Sequence, residues 1–313
     1  MNQDLYDAHL ATVLADVERA LERSAAAGFG FEGVVLHAGA ELLVHRDDQP
    51  HLFRQDFNFA RLAPLPGPDH LAVVRPGEKP RLIRVVPRDY WYEAPASPAV
   101  DVGRGFDYVE VGEVEDAIAA AGETESCAFL GDDPEVAAAL GIDEDAVEPP
   151  HLMASLDWDR AYKTAWEAEC VRAAAVKAAR GHAVVRDGAA EGLSERQLHH
   201  AYVAAAGLVD AEIPYPNIIG WNENAAVLHY QSKVAERPAD GRVLLIDAGA
   251  SHLGYACDVT RTWARPAAGS LFGELLDGME ELQRELVAGV GPGVEYIDLH
   301  AAAHQGVARL LAS

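Results

Sequence analysis

The sequence predicts an α/β domain over about residues 1–155, followed by a second region in which long helices bracket a single β-rich stretch. Two observations carry this. In the first half, apolar runs of strand length alternate with helical stretches, the pattern of strands and helices that share a sheet. In the second half, strand-like runs are confined to 214–230 and 242–264, with Ala-rich and amphipathic helical segments on either side.

In chain order, residues 5–26 place Leu10, Val13, Leu14, Val17 and Leu21 at helical spacing, and Gly28 can end that helix. GVVLHAG (33–39) is an apolar run of strand length. Residues 46–70, rich in Pro, Asp and aromatics, read as loop. HLAVV (70–74) and RLIRVV (81–86) flank RPGEKP and predict a hairpin. FDYVEV (106–111) reads as strand, EVEDAIAAAG (113–122) as helix and CAFLG (127–131) as strand, with the short helical stretch PEVAAALG after it. VEPPHLMASLDWDR (147–160), with its two prolines, reads as a linker, which places the domain boundary at 157/158. The Ala-rich run that follows, from Lys163, is strongly helix-forming. Ser194-x-x-Gln197 is a capping box that opens a helix ending near Gly207. After Pro266 come helices over 270–286 and 297–313, joined by VGPGVEY.

Composition limits the function. Of 313 residues, 50% are hydrophobic and 24% charged, a globular balance. With 25 Lys+Arg against 50 Asp+Glu, the net charge of −25 argues against binding nucleic acid or acidic membranes. Cys127, Cys170 and Cys257 have no paired spacing, so neither a disulfide framework nor a CxxC zinc site is expected. The start carries acids where a signal peptide needs bases, and no run approaches the roughly 18 apolar residues of a membrane span. The expectation is a cytoplasmic protein.

RVLLIDAGASHLGYACDVTRTW is the most informative segment. The apolar run Val243 to Ile246 ends in Asp247, and a second strand-like run holds Asp258, Thr260 and Thr262. A hairpin centred between His252 and Leu253 would set Asp247 opposite Asp258, with their Cβ atoms roughly 4.5–5.5 Å apart on one face. Two carboxylates so placed repel unless they share a proton or a cation, and oxygen ligands suit ions such as Mn²⁺, Mg²⁺ or Ca²⁺. Spacing alone leaves open that both aspartates are solvated and unrelated, and another turn register would break the pairing. His229, after the apolar run NAAVL, is expected to face a walled space, either passing protons near neutral pH or bonded to a backbone group. His300 and His304 share a helical face, but Ala301 stands where an HExxH zinc helix has Glu, so they are not expected to be ligands. Cys257 alternates away from Asp258 and reads as a packed thiol.

From about residue 160 the chain resembles the prolidase (Xaa-Pro dipeptidase) branch of the creatinase/methionine-aminopeptidase pita-bread metallopeptidases. The resemblance rests on YKTAWEAECVRAA, PYPNIIGWNENAAVLHY and LLIDAGASHLGYACDVTRTW, in that order. HLATVL (9–14), the VVLHAG strand and RDDQPHLF (46–53) extend it over essentially all 313 residues, and the likeness is to the bacterial members. It implies an α/β N-terminal domain (1–157, dimerisation and a wall of the substrate pocket) followed by part of an α+β pita-bread metallopeptidase domain (158–313). It implies metal-dependent hydrolysis of dipeptides with C-terminal proline by a hydroxide shared between two divalent metal ions, Mn²⁺ in this branch. Asp247 and Asp258 match two metal ligands, Asp258 the bridging one. His229 matches the proton-shuttling histidine and Tyr215 a substrate-pocket residue. Asp48 matches the residue that reaches into the partner's pocket in the family's homodimer. A side activity on organophosphate esters is also implied.

The family pattern has five ligands, and the remaining His and two Glu are not matched: no HGxGH string and no Glu-Pro-Gly occurs. The final helical segment carries no stop signal, which reads as truncation. Two alternatives follow: a catalytically inactive fragment serving as a binding or dimerisation module, or an Xaa-Pro aminopeptidase of the same fold.

Overall fold

The apolar spacing of the first helix becomes the buried face of α1 (Gln3–Ala26), where Leu10, Val13, Val17 and Leu21 lie within the core. Asn2 caps it by accepting from the amides of Asp4 and Leu5. The computed structural model describes residues 2–312 apart from 89, 92 and 94. The predicted last helix is therefore followed to residue 312, and its expected final residue, 313, lies outside the described residues.

After α1 come β1 (Gly33–His37), α2 (Phe57–Leu62), β2 (Leu71–Val74), β3 (Arg81–Val85), β4 (Asp107–Val111), α3 (Val114–Ala121), β5 (Cys127–Leu130), α4 (Pro134–Ala139) and α5 (Pro150–Arg160). The five strands form one sheet in the order β4-β3-β2-β1-β5, antiparallel at β1/β2 and β2/β3 and parallel at β1/β5 and β3/β4. Both faces are covered. Val34, Leu36, Ala72, Leu82 and Leu130 pack with α1, α2 and α5, while Val35, Val73, Ile83 and Phe129 pack with α3 and α4. Strands buried on both sides read as continuous apolar runs, which is why they are visible in the sequence.

Two expectations are corrected here. Residues 46–70 are not all loop: Asp56 accepts from the amides of Asn58 and Phe59 and starts α2, which buries Phe59 and Leu62. Residues 147–160 are not a linker: Pro150 opens α5, and Leu152 and Leu156 are core residues. A proline in the first helical turn gives up an N–H that has no intrahelical partner anyway, so it starts a helix as readily as it breaks one.

The chain continues through α6 (Ala165–Ala190), α7 (Glu195–Ala206), β6 (Ile218–Trp221), β7 (Val243–Asp247), β8 (Ala250–His252), β9 (Tyr255–Cys257), β10 (Thr260–Ala264), α8 (Ser270–Ala288) and α9 (Tyr296–Ala312). It divides into two compact units. One holds Met1–Ala174, Asp210–Glu212 and Ser251–Ala256; the other holds Ala175–Val209, Ile213–Ala250 and Cys257–Ser313. In the second unit a three-stranded antiparallel sheet, β10-β7-β6, buries Leu244 and Ile246 of β7 against Val185 of α6 and Leu198 and Tyr202 of α7. Alternation sends Val243, Leu245 and Asp247 to the other face, where they are half-buried. The predicted capping box is present at Ser194 and Gln197. Among the described residues, no helix is long and apolar enough to cross a membrane.

Candidate metal centre

Asp247 ends β7 on the face away from the helices, and Asp258 lies just before β10. The ladder pairs Asp247 with Thr260, and Ile246 with Arg261. The expected pairing of Asp247 directly with Asp258 is therefore corrected: Asp258 stands two residues along from Asp247's partner. The turn explains the difference. Leu253 and Gly254 both have positive φ, 50° and 81°, as the two central residues of a type I′ hairpin turn require. The bend is thus centred between 253 and 254 rather than between 252 and 253. A shift of two residues in partner preserves the face, so both carboxylates still lie on one side.

Tyr215 joins them. Its hydroxyl lies 2.7 Å from Oδ1 of Asp247 and 2.6 Å from Oδ1 of Asp258. A phenol has one proton to donate, so it satisfies one carboxylate at a time and leaves the other facing an oxygen. Burial first, and then the bonds to Asp258 and Asp247, hold the Tyr215 hydroxyl far above the usual phenol range, so it stays a donor.

The bend after Asp247 is fixed by groups the sequence reading passed over. His182 Nε2 meets the Ala248 carbonyl at 3.0 Å, and the Tyr202 hydroxyl donates to the Gly249 carbonyl at 2.9 Å. Burial lowers the His182 pKa, so a neutral ring donates here. A Cβ on Gly249 would fall 2.0 Å from the Cys257 carbonyl oxygen, so only glycine lets the two segments approach this closely. That glycine, directly after Asp247-Ala248, was the available signal.

The other expected residues are placed as follows. His229 lies in a turn closed by the Tyr230 amide and the Val227 carbonyl, 3.2 Å apart, after a 3₁₀ turn over Asn222–Ala226. It is exposed, as are Val227 and Leu228, so the expected wall around it is corrected: the apolar run before it is not buried in this chain. Asp48 is exposed near the tip of a loop closed by an antiparallel bridge between Leu43 and Pro50. Cys257 is half-buried against the core of the second unit, a packed thiol.

Two family models match. One, described as the Xaa-Pro dipeptidase N-terminal domain, covers residues 4–158; the other, metallopeptidase family M24, covers residues 169–311. Xaa-Pro dipeptidases of Pseudoalteromonas atlantica and Cronobacter sakazakii are each 35% identical to the chain, over 98% of it and over 69% and 68% of their own lengths. The chain belongs to metallopeptidase family M24. Solved structures show the same fold in this M24 chain. Aminopeptidase PepP of Pseudomonas aeruginosa matches with TM-score 0.72 at 21% identity over 100% of this chain and 73% of its own. Escherichia coli aminopeptidase P matches with TM-score 0.70 at 19% identity over 96% and 73%. The fold class is therefore an α/β N-terminal domain followed by an M24 pita-bread domain, and the protein is a metallopeptidase.

The donor set can be tested against a metal. Two carboxylates and a phenol converge on one point, and these hard oxygen donors suit a divalent cation. Among the described residues no group of three or more His, Cys, Asp and Glu is arranged to hold an ion, so the chemistry of the pair fits while its number does not complete a coordination sphere.

Proposed function

We propose that this M24 metallopeptidase is a prolidase that hydrolyses dipeptides with C-terminal proline at two Mn²⁺ ions, two of whose ligands are Asp247 and Asp258. The names of the relatives at 35% identity support the dipeptidase reading over an aminopeptidase one. The single observation that carries the site is the Tyr215 hydroxyl meeting both carboxylates, because two anions held at one donor call for a cation. When bound, the ions supply Lewis acidity and an acidified water next to the carbonyl that precedes the proline nitrogen. Asp247 and Asp258 would hold the ions. Tyr215, beside both, forms part of the substrate pocket and stays protonated there. His229, on its exposed turn, accepts and returns a proton at the scissile bond. Residues 1–157 form the dimerising domain and a pocket wall, 158–313 the catalytic part. In a homodimer Asp48 meets the substrate amine in the partner's pocket. The −25 charge supports a protein that stays off nucleic acid and acidic membranes, and the proposed place of action is the cytoplasm.

One observation favours a second reading. No third ligand joins the aspartates among the described residues, so the chain by itself could serve as a binding or dimerisation module. Calorimetric titration with Mn²⁺, alongside proline release from an Xaa-Pro dipeptide, separates the two. The prolidase reading expects Mn²⁺ binding and Mn²⁺-dependent turnover, both abolished in Asp258→Asn. Full activity in that variant sinks the ligand assignment. Neither binding nor turnover with any divalent ion leaves the module.

A further inference from the structure

Glu195 is 2% exposed, yet it is an acid at the first position of α7 with no role in the site described above. Its Oε1 accepts from the Trp221 amide at 2.8 Å and from Asn224 Nδ2 at 2.9 Å. Its Oε2 accepts from the Tyr230 hydroxyl at 2.6 Å and from the Val234 amide at 2.7 Å. All four donors come from one segment, 221–234. The same segment is tied to the same helix start by the Arg196 amide, which donates to the Val234 carbonyl at 3.2 Å.

The physics accounts for this arrangement. An isolated carboxylate taken out of water is costly, and four donors, two per oxygen, replace its hydration. The start of a helix adds the positive end of the peptide dipoles. Burial lowers the pKa of Lys233 and the Glu195 charge acts against that, so this lysine lies within the acid's field. Asn224 Nδ2 also lies 3.0 Å from the Tyr230 hydroxyl, which links two of the donors to each other. Four of the segment's ties therefore meet at a single charge. Its start is held separately: Trp221 Nε1 donates to the Leu193 carbonyl at 3.0 Å, and Asn222 Nδ2 donates to the Asp240 carbonyl at 2.7 Å.

His229 sits between two of these donors in sequence, and the turn that carries it is closed by the backbone of Tyr230 itself. We propose that Glu195 is a positioning residue for His229: the buried carboxylate, through Tyr230 and Asn224, sets where the histidine turn stands. This rests on the prolidase reading of His229, and the test keeps the two apart.

The test compares Glu195→Gln and Tyr230→Phe with wild type in amide hydrogen exchange and in Mn²⁺-dependent kinetics on an Xaa-Pro dipeptide. Glutamine keeps the shape but turns one acceptor into a donor facing donors. Exchange over 221–234 should rise about 10-fold or more in Glu195→Gln, with β1 (Gly33–His37) unchanged. For a misplaced group, kcat should fall on the order of 10²-fold while KM moves less than about twofold. Tyr230→Phe removes one of the four bonds, should give a smaller change of the same kind, and carries the test if Glu195→Gln does not fold. Wild-type exchange over 221–234 in the variants overturns the proposal. So does a general loss of protection in Tyr230→Phe with kcat and KM unchanged, the signature of a merely structural acid. A wild-type protein without turnover counts against the prolidase reading; the exchange data then decide the placement of the turn by themselves.

Discussion

Glu195 and the Asp247/Asp258 pair handle negative charge in opposite ways. Glu195 has two accepting oxygens and four donors, all from its own chain. The aspartate pair has two carboxylates and shares one hydroxyl. Glu195 is almost fully buried, whereas Asp258 is exposed and Asp247 half-buried. A carboxylate whose hydrogen-bonding capacity is met internally holds structure together. A pair left short of positive charge, and open to solvent, lacks that internal match. On the proposed reading the difference separates a scaffold acid from a pair of ligands.

Three measurements sharpen or break this division. The largest effect is expected for His229→Ala, which removes a side chain from the turn that Glu195 organises. Loss of a group that moves a proton should lower kcat on the order of 10²-fold or more, with Mn²⁺ affinity by calorimetry unchanged. An unchanged kcat returns the turn to scaffold. Next is His70, a second internally satisfied group. Its Nε2 donates to the Pro66 carbonyl at 2.8 Å, and its Nδ1 accepts from the Val85 amide at 3.1 Å, which only the neutral ring can do. Burial first, and the nearby Arg84 charge, lower its pKa to about 4, against the opposing Pro66 bond. The unfolded chain takes up a proton below about 6.5 and the folded one does not until about 4, so this contribution is complete above pH 6.5 and is lost as pH falls towards 4. Asp69, raised to about 6 by burial, acts with the opposite sign, losing stability as pH rises through that value. Urea unfolding of wild type and His70→Gln at pH 7 and pH 5 isolates the histidine, because Asp69 cancels in the difference. Wild type should lose roughly 2 kcal/mol more than the variant. Equal losses mean His70 accepts a proton without cost. The smallest effect belongs to Tyr215→Phe. Without its one donor the pair is less stable metal-free, and bound Mn²⁺ removes that deficit. The Mn²⁺-induced rise in Tm should exceed wild type's by about 2 °C. An equal rise would mean the hydroxyl contributes nothing to holding the pair.

Much of this was legible in the sequence, for local reasons. The α1 stripe, the β2/β3 hairpin and the Ser194/Gln197 box are defined by neighbours within a turn or a strand. That both aspartates face one side was also legible, since it follows from parity. What escaped was set at a distance or by backbone angles. Glu195 lies inside the capping box but is explained by donors 26 to 39 residues further on. The turn centre depended on Leu253, a residue seldom found at positive φ, although Gly254 beside it marks the second turn position. In α5 the same proline pair fits a linker or a helix start, and the choice was made by the burial of Leu152 and Leu156. The exposure of His229 could not be read from the apolar run before it, because hydrophobicity says what a segment would bury, not whether anything covers it.

The two-residue turn at Leu253 and Gly254 makes hairpin length a discrete quantity. Adding or deleting one residue there would invert every side chain of β10 relative to β7 and deliver Asp258 to the helix-packed side of the sheet, however conservative the change looks on paper. Adding two would restore the side but slide the acid along the ladder, out of reach of Tyr215. The side on which Asp258 stands is thus set by how many residues separate it from Asp247, as much as by which residues they are.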